Sequence, residues 1–199
     1  MAATDFIDEE GHFKIVSGGA DGQVRVWRVS NKVRHLECTM KEHKGSVSSI
    51  FIRRNGLECV SASADGSCIV WDLNRYVRNQ VLFAPTFFKA VVYTPDESQI
   101  LTCGTDKKVE YWEAFDGTLI RELEASQSDS INSLDITQDG SRFYVGGSDK
   151  YVKAYKYEEG EVEAIGVGHS TEITKIKIAP DNHSVVSVSI DGAVLLWKN

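Results

Sequence analysis

SASADGSCIVWDLN, the stretch from Ser61 to Asn74, decides the fold of the chain. It combines a short apolar segment, an Asp-Gly pair at 65–66 and a second apolar segment that ends at Trp71. Asp-Gly pairs between apolar segments favour tight hairpins with two-residue turns, because glycine supplies the positive φ that such turns need. The stretch therefore predicts a β-hairpin in which the tryptophan follows the turn aspartate by six residues.

The same hairpin recurs along the whole chain at a nearly constant spacing. The turn aspartates are separated by 44, 41, 43 and 42 residues: Asp21, Asp65, Asp106, Asp149 and Asp191. An aromatic residue follows each by six positions: Trp27, Trp71, Trp112, Tyr155 and Trp197. A period of about 40 to 45 residues is typical of the four-stranded blades of a β-propeller. The sequence therefore predicts an all-β chain of about five blades, near 1–40, 41–83, 84–124, 125–167 and 168–199.

Alternation of apolar and polar residues predicts four strands in the second repeat and no helix anywhere. The four are expected at Ser46–Ile52, Leu57–Ser61, Ser67–Trp71 and Arg78–Phe83. The matching first strands of the other repeats are expected at 3–7, 87–93, 130–136 and 171–178. The sequence ends two residues after Trp197, so the fifth blade is expected to lack an outer strand. Such an unpaired edge favours association.

Composition and charge narrow the classes of function. A hydrophobic content of 42% can form a core, and no apolar run approaches the roughly 18 residues that cross a bilayer. The acidic N-terminus does not resemble a secretory signal, which predicts a cytosolic setting. A net charge of −7 disfavours binding to nucleic acid and to membrane surfaces. Reduced thiols packed as small apolar residues are expected at Cys38, Cys59, Cys68 and Cys103.

These repeats resemble the WD-repeat family over essentially the whole chain. The resemblance implies a propeller segment, because family members typically have seven blades. It also implies a buried hydrogen-bond network in each blade, formed by a histidine, a serine or threonine, the turn aspartate and the tryptophan. Two complete networks are implied: His43, Ser61, Asp65 and Trp71, and His169, Ser187, Asp191 and Trp197. Partial networks are implied at Ser17, Asp21 and Trp27, at Thr102, Asp106 and Trp112, and at Asp149.

Three blades depart from this pattern at the histidine position. The third blade has Ala84 there, and the fourth has Gln127 together with Val145 and Tyr155. In the first blade the histidine would lie before residue 1.

A narrower resemblance involves residues outside the repeated motif. The segments LNRYVRNQVLFAPT (73–86) and FFKAVVYTPDESQILTCGTDKKVEYWEAFDGTLIRELEAS (87–126) are similar to the C-terminal propeller of cilia- and flagella-associated WD-repeat proteins. This resemblance implies a structural component of the axonemal doublet microtubule, in contact with tubulin and inner proteins, that supports doublet stability and motility. The alternative is a general cytoplasmic or nuclear adaptor that assembles a multiprotein complex.

An enzyme is the hypothesis from a different class. His43, Ser61 and Asp65 have the residue types of a nucleophilic triad. The fifth blade repeats the same set, which is expected for a structural network copied with each blade and unexpected for one active site. The glycine-rich SGGADG at 17–22 lies between two strands, which favours a hairpin over a phosphate site. Because the histidines also lack metal-ligand spacing, we expect no metal, cofactor or small-molecule substrate.

Three surface features are candidates for contact with other proteins. Phe87 stands at a position filled by Ser46, Ser130 and Glu172 in other repeats, which makes it a candidate partner contact, although packing on a neighbouring loop is the alternative. The acidic run at 158–163 is expected to be a solvated rim or a docking surface for a basic partner. Basic residues that could contact acidic tubulin surfaces are Lys32, Arg34, Lys41, Lys44, Arg53, Arg54, Lys107 and Lys108.

Overall fold

The computed structural model describes residues 2–7, 11–30, 34–127 and 129–198. These residues contain β-strands, turns and bends, and they include no helix, so none of them forms an apolar helix that could cross a membrane. The strands, in chain order, are β1 (Ala2–Ile7), β2 (Phe13–Gly18), β3 (Val24–Val29), β4 (Arg34–Met40), β5 (Val47–Ile52), β6 (Glu58–Ser63), β7 (Ser67–Asp72), β8 (Val77–Phe83), β9 (Phe88–Tyr93), β10 (Gln99–Gly104), β11 (Lys108–Glu113), β12 (Leu119–Glu124), β13 (Ile131–Ile136), β14 (Arg142–Gly147), β15 (Tyr151–Lys156), β16 (Val162–Val167), β17 (Ile173–Ile178), β18 (Ser184–Ser189) and β19 (Val194–Lys198).

The strands form five sheets in which strands that follow one another in sequence lie side by side. The first four sheets have four strands each, β1–β4, β5–β8, β9–β12 and β13–β16, and β17–β19 form a three-stranded sheet. Pairing is antiparallel, as between β5 and β6, β6 and β7, and β7 and β8. Each sheet is therefore a meander, which is the form of a propeller blade. The all-β fold class predicted from the repeat is confirmed.

The hairpins between the second and third strands differ from the predicted two-residue turns. In the second sheet three residues, Ala64–Gly66, separate β6 from β7, and only Gly66 has positive φ, at 85°. A type I′ turn requires positive φ at both central residues, so this turn is of a different type. Lys107 and Lys150 take the same place in the third and fourth sheets, each with φ of 70°. The position after the turn aspartate is therefore left-handed whether or not glycine occupies it.

The strands divide into two compact units, with the boundary between Val91 and Val92 inside β9. The core of the first unit is a cluster of buried side chains: Val16, Val24, Val26, Met40, Val47, Cys59, Ile69, Trp71 and Leu73. A cluster of the second unit consists of Tyr144, Val152, Ala154, Ile173, Ile176 and Val185. Alternate residues of the strands supply these clusters, as period-2 patterning requires. All four cysteines are free thiols, of which Cys38 is half-buried and the other three are buried.

Side-chain hydrogen bonds join the first strand of one sheet to the first strand of the next within each unit. In the first unit, Ser48 Oγ donates to the Phe88 carbonyl oxygen at 2.7 Å. In the second unit, the Ile176 N–H donates to Ser133 Oγ at 3.0 Å, and Asn132 Nδ2 donates to the Ile173 carbonyl oxygen at 3.0 Å. Buried polar groups are thereby paired where neighbouring sheets meet.

Candidate functional site

The second sheet brings all four of its predicted network residues together. His43 Nε2 lies 2.7 Å from Ser61 Oγ, which also accepts a hydrogen bond from Trp71 Nε1 at 2.8 Å. His43 Nδ1 lies 3.3 Å from Asp65 Oδ2. The Ser61 side chain is inaccessible to solvent and His43 is only 7% exposed. The network therefore links the segment before β5 to β6, β7 and the turn between them.

Ser67 is a network residue that the sequence interpretation missed. Its hydroxyl lies 2.9 Å from His43 Nδ1 and donates to Asp65 Oδ1 at 2.6 Å. With Nδ1 protonated, the imidazole donates toward Ser67 and Asp65 while Nε2 accepts the Ser61 hydroxyl proton, so both ring nitrogens are paired. The signal was a serine two residues after the turn aspartate, which no other repeat carries.

Burial and hydrogen bonding fix the charge states in this network. Burial lowers the pKa of His43, although the charge of Asp65 opposes this effect. Burial would raise the pKa of Asp65, but hydrogen bonds from Ser67 and from the Lys44 N–H outweigh it and lower the pKa to about 2. The network at neutral pH is a neutral imidazole held beside an ionised carboxylate.

The fifth sheet reproduces only half of this arrangement. His169 Nε2 lies 2.6 Å from Ser187 Oγ, and Trp197 Nε1 donates to the same oxygen at 2.8 Å. The buried His169 Nδ1 has no hydrogen-bond partner within the described part of the chain. Asp191 is exposed and instead accepts hydrogen bonds from Ser170 and Ser189, which lower its pKa. The structure therefore brings His169, Ser187 and Trp197 together but leaves Asp191 outside the network.

The first sheet contains the hydroxyl and the indole without a histidine. Trp27 Nε1 donates to Ser17 Oγ at 2.8 Å. Asp21 pairs with Arg25, whose Nη2 lies 2.5 Å from Asp21 Oδ2, and this contact lowers the pKa of the carboxyl. Asp21, in the turn before β3, is thus held by an arginine of that strand.

The third sheet contains a buried carboxyl in its network. Trp112 Nε1 donates to Thr102 Oγ1 at 2.9 Å, and Thr102 Oγ1 donates to Glu110 Oε2 at 2.8 Å. Glu110 is only 2% exposed, and burial raises the pKa of its carboxyl to about 7. Asp106 accepts a hydrogen bond from the Lys108 N–H at 3.5 Å rather than one from a histidine.

The fourth sheet builds a different network from a lysine and a tyrosine. Lys153 Nζ lies 2.6 Å from Asp149 Oδ2 and donates to the Ala125 carbonyl oxygen at 2.9 Å. The Tyr155 hydroxyl donates to the same carbonyl at 3.1 Å, and burial raises the pKa of Tyr155 to about 12. The exposed Gln127, at the expected histidine position, takes no part in these bonds.

The three sheets without a network histidine share one compensating position. The residue two places before the aromatic lies directly opposite the network serine, threonine or Val145 on the neighbouring strand. The pairs are Ser17 with Arg25, Ser61 with Ile69, Thr102 with Glu110, Val145 with Lys153, and Ser187 with Leu195. This residue is apolar where a histidine is present and ionisable where it is not. Arg25 and Lys153 pair with the turn aspartate, and Glu110 accepts from Thr102, so each makes one of the two kinds of contact that His43 makes.

Phe87 immediately precedes β9 and is 59% exposed, whereas Phe88 is fully buried. Val47, Ile131 and Ile173, which like Phe88 begin the first strands of their sheets, are buried as well. Lys41 and Lys44, which precede β5, are exposed as well. The rim of the first unit thus presents an aromatic ring and basic side chains to solvent.

The comparisons with known proteins agree with this geometry. The family model described as "WD domain, G-beta repeat" matches residues 5–28, 34–72, 117–156 and 161–198. The chain is 56% identical over 185 residues to cilia- and flagella-associated protein 52 of Homo sapiens, covering 93% of this chain and 30% of that protein. It is 50% identical over 173 residues to the Chlamydomonas reinhardtii protein of the same name, covering 87% and 28%.

A more distant similarity, 25% identity over 155 residues, relates the chain to protein groucho of Drosophila melanogaster, with 74% of this chain and 21% of that protein covered. The chain spans 28% to 30% of the length of these two cilia- and flagella-associated proteins. The family model matches more than half of the chain. The repeated sheets and the recurring hydroxyl–indole hydrogen bonds agree with that match. The chain belongs to the WD domain, G-beta repeat family.

Proposed function

We propose that this protein is a structural, protein-binding component of the ciliary or flagellar axoneme. The observation that carries the proposal is the 50% to 56% identity to proteins named cilia- and flagella-associated protein 52, which extends over 87% to 93% of this chain. The motif alone fixes few positions in each repeat, so identity at this level includes many residues outside it. We also propose that the protein lies within the doublet microtubule and stabilises the doublet.

We further propose that the polar networks are structural and that the protein is not an enzyme. Ser61 is inaccessible to solvent, and its oxygen already accepts the Trp71 indole proton at 2.8 Å. A nucleophilic serine must reach a substrate carbonyl, so a hydroxyl in this position is unsuited to attack. The networks instead satisfy buried polar groups that would each cost about 1 to 3 kcal/mol if left unpaired.

The partners proposed for this scaffold are tubulin and other axonemal inner proteins. Phe87 supports a contact, because exposed aromatic rings are enriched in the centres of protein interfaces. Lys41 and Lys44 are exposed near the start of the second sheet and can face an acidic surface. Their effect is local, because the chain as a whole carries a net charge of −7.

Localisation tests this proposal. A fluorescently tagged chain expressed in ciliated cells is expected to remain with the axoneme after detergent extraction. Phe87→Ser should reduce this retention, whereas Phe115→Ser should not, although Phe115 is 93% exposed and lies in the turn between β11 and β12. An evenly diffuse protein that detergent removes would contradict the axonemal role and favour a general cytoplasmic or nuclear adaptor.

A further inference from the structure

The second unit contains a groove on one face of the fourth sheet. Its volume is about 420 Å³. One wall consists of alternate residues of β15, Tyr151, Lys153 and Tyr155. The segment 124–127, which begins at the last residue of β12, forms the opposite wall, and Val162 and Ile165 of β16 complete the lining. Alternate strand residues point to the same face, so the groove runs along the sheet rather than into its edge.

The groove occurs in the sheet that has no network histidine. His43 is buried in the second sheet, but Gln127 of the fourth sheet is exposed and lines the groove. Lys153 and Asp149, whose side chains are each only 14% exposed, form an ion pair at 2.6 Å. Because this pair is neutral as a unit and Lys153 also donates to the Ala125 carbonyl oxygen, the base of the groove offers little free charge.

The outer part of the groove is apolar and its surroundings are acidic. Tyr151, Val162 and Ile165 are 41%, 47% and 55% exposed. Glu124 lines the groove, is exposed, and forms no ion pair with the residues that the structure describes. Glu158, Glu159 and Glu161 are exposed in and after the turn that follows β15, and Arg121 of β12 holds that turn by donating to the Glu158 carbonyl oxygen at 2.6 Å.

We propose that this groove binds an extended segment of a partner protein in which apolar residues alternate with lysine or arginine. The apolar side chains fill the space over Val162 and Ile165, and the basic side chains pair with Glu124 and the neighbouring glutamates. An extended segment fits because the groove runs along β15 and β16, so its lining side chains follow the two-residue spacing of an extended chain. The inference rests on the proposed scaffold function and names a partner chemistry for it.

Fluorescence anisotropy with a defined peptide tests the proposal on the full chain. The probe is a short labelled peptide of alternating lysine and valine, and its counterpart has glutamate in place of lysine. Ile165→Ser and Glu124→Lys are each expected to weaken binding of the lysine peptide about tenfold or more. Val167→Ser is the matched control, because Val167 lies on the same strand, is 73% exposed and does not line the groove.

The wild-type chain is expected to bind the lysine peptide, more weakly at high salt, and not the glutamate peptide. The proposal is overturned if the lysine peptide does not bind, if the glutamate peptide binds equally well, or if Val167→Ser weakens binding as much as Ile165→Ser. Axonemal retention is measured separately. If the peptide does not bind, the groove proposal fails and the proposed ciliary role is unaffected. If the peptide binds but the tagged protein is diffuse in cells, the ciliary role fails and the groove proposal stands.

Discussion

At the level of residues, the two histidine networks differ in the partners of the imidazole Nδ1. Ser67 gives His43 Nδ1 a partner at 2.9 Å, whereas the corresponding residue of the fifth sheet is Ala193 and His169 Nδ1 has no partner within the described residues. An unpaired buried polar atom is costly, and a hydrogen bond made in its place contributes about 1 kcal/mol. The two sheets therefore form a natural pair for measuring this contribution.

Exchanging this hydroxyl between the sheets should move stability in opposite directions. Ser67→Ala is expected to lower the free energy of unfolding by about 1 to 2 kcal/mol, because it leaves His43 Nδ1 with only the longer contact to Asp65. Ala193→Ser is expected to raise it by about 0.5 to 1 kcal/mol, because it supplies a partner for His169 Nδ1. Urea unfolding measures both. A loss of stability in both variants would contradict the role assigned to this position.

Glu110 predicts a stability difference that depends on pH. Its pKa is about 7 in the fold and about 4.3 in an unfolded chain, so the folded state holds the proton to higher pH. Protonated Glu110 therefore makes its full contribution to the free energy of unfolding below about pH 4.3, and this contribution is lost as the pH rises through 7.

Glu110→Gln keeps an oxygen that accepts from Thr102 and removes this titration. The variant and the wild-type protein should be nearly equal in stability at pH 4, whereas at pH 8 the variant should be more stable by about 2 to 3 kcal/mol. Chemical denaturation at the two pH values checks this expectation. A difference that stays constant between them would show that the pKa of Glu110 is the same in the folded and unfolded states, which would contradict the raised pKa.

At the level of elements, the hairpin between the second and third strands has a left-handed residue after the turn aspartate. Glycine holds the position in three sheets, and Lys107 and Lys150 hold it with φ of 70° in the other two. Left-handed backbone costs a non-glycine residue about 1 to 2 kcal/mol in strain. Glycine avoids this strain, but it loses more conformational entropy on folding, so the net gain from glycine is smaller.

Lys150→Gly is therefore expected to raise the melting temperature, with a net gain of about 0.5 to 1 kcal/mol. Lys156→Gly is the control, because Lys156 lies at the end of β15 and is not among the residues with positive φ. It should destabilise the chain by about the same amount. If both substitutions lowered the melting temperature, the lysine side chain at 150 would be contributing more than its backbone strain costs.

Much of the element order could be predicted from the sequence, because each strand repeats the same short-range signals. Alternation set the strand boundaries within about two residues, as at β5, β8 and β17. The predicted two-residue turn was wrong, because the Asp-Gly pair does not reveal that three residues separate β6 from β7.

The ionisable residues that replace the histidine were not predicted. Arg25, Glu110 and Lys153 look like ordinary strand residues in the sequence, and their role depends on which residue faces them across the sheet. The pairing of the second and third strands depends on the length of the turn between them, and the sequence motif does not specify that length. The available signal was an ionisable residue two places before the aromatic in each repeat without a histidine.

At the level of the whole molecule, each of the two compact units contains one histidine network. His43 belongs to the unit that ends at Val91, and His169 to the unit that begins at Val92. His43 has contacts to Ser61, Ser67 and Asp65, whereas His169 has one to Ser187. If the networks are structural, the cost of removing each imidazole should follow the number of hydrogen bonds that it makes.

The most direct test is the melting temperature of His43→Ala, measured by calorimetry beside His169→Ala and the wild-type chain. The structural account predicts a loss of about 2 to 4 kcal/mol for His43→Ala, which corresponds to roughly 5 to 15 °C in a chain of this size, and a smaller loss for His169→Ala. A His43→Ala protein that melts with the wild type but loses a measurable hydrolytic activity would contradict the account and establish a catalytic network.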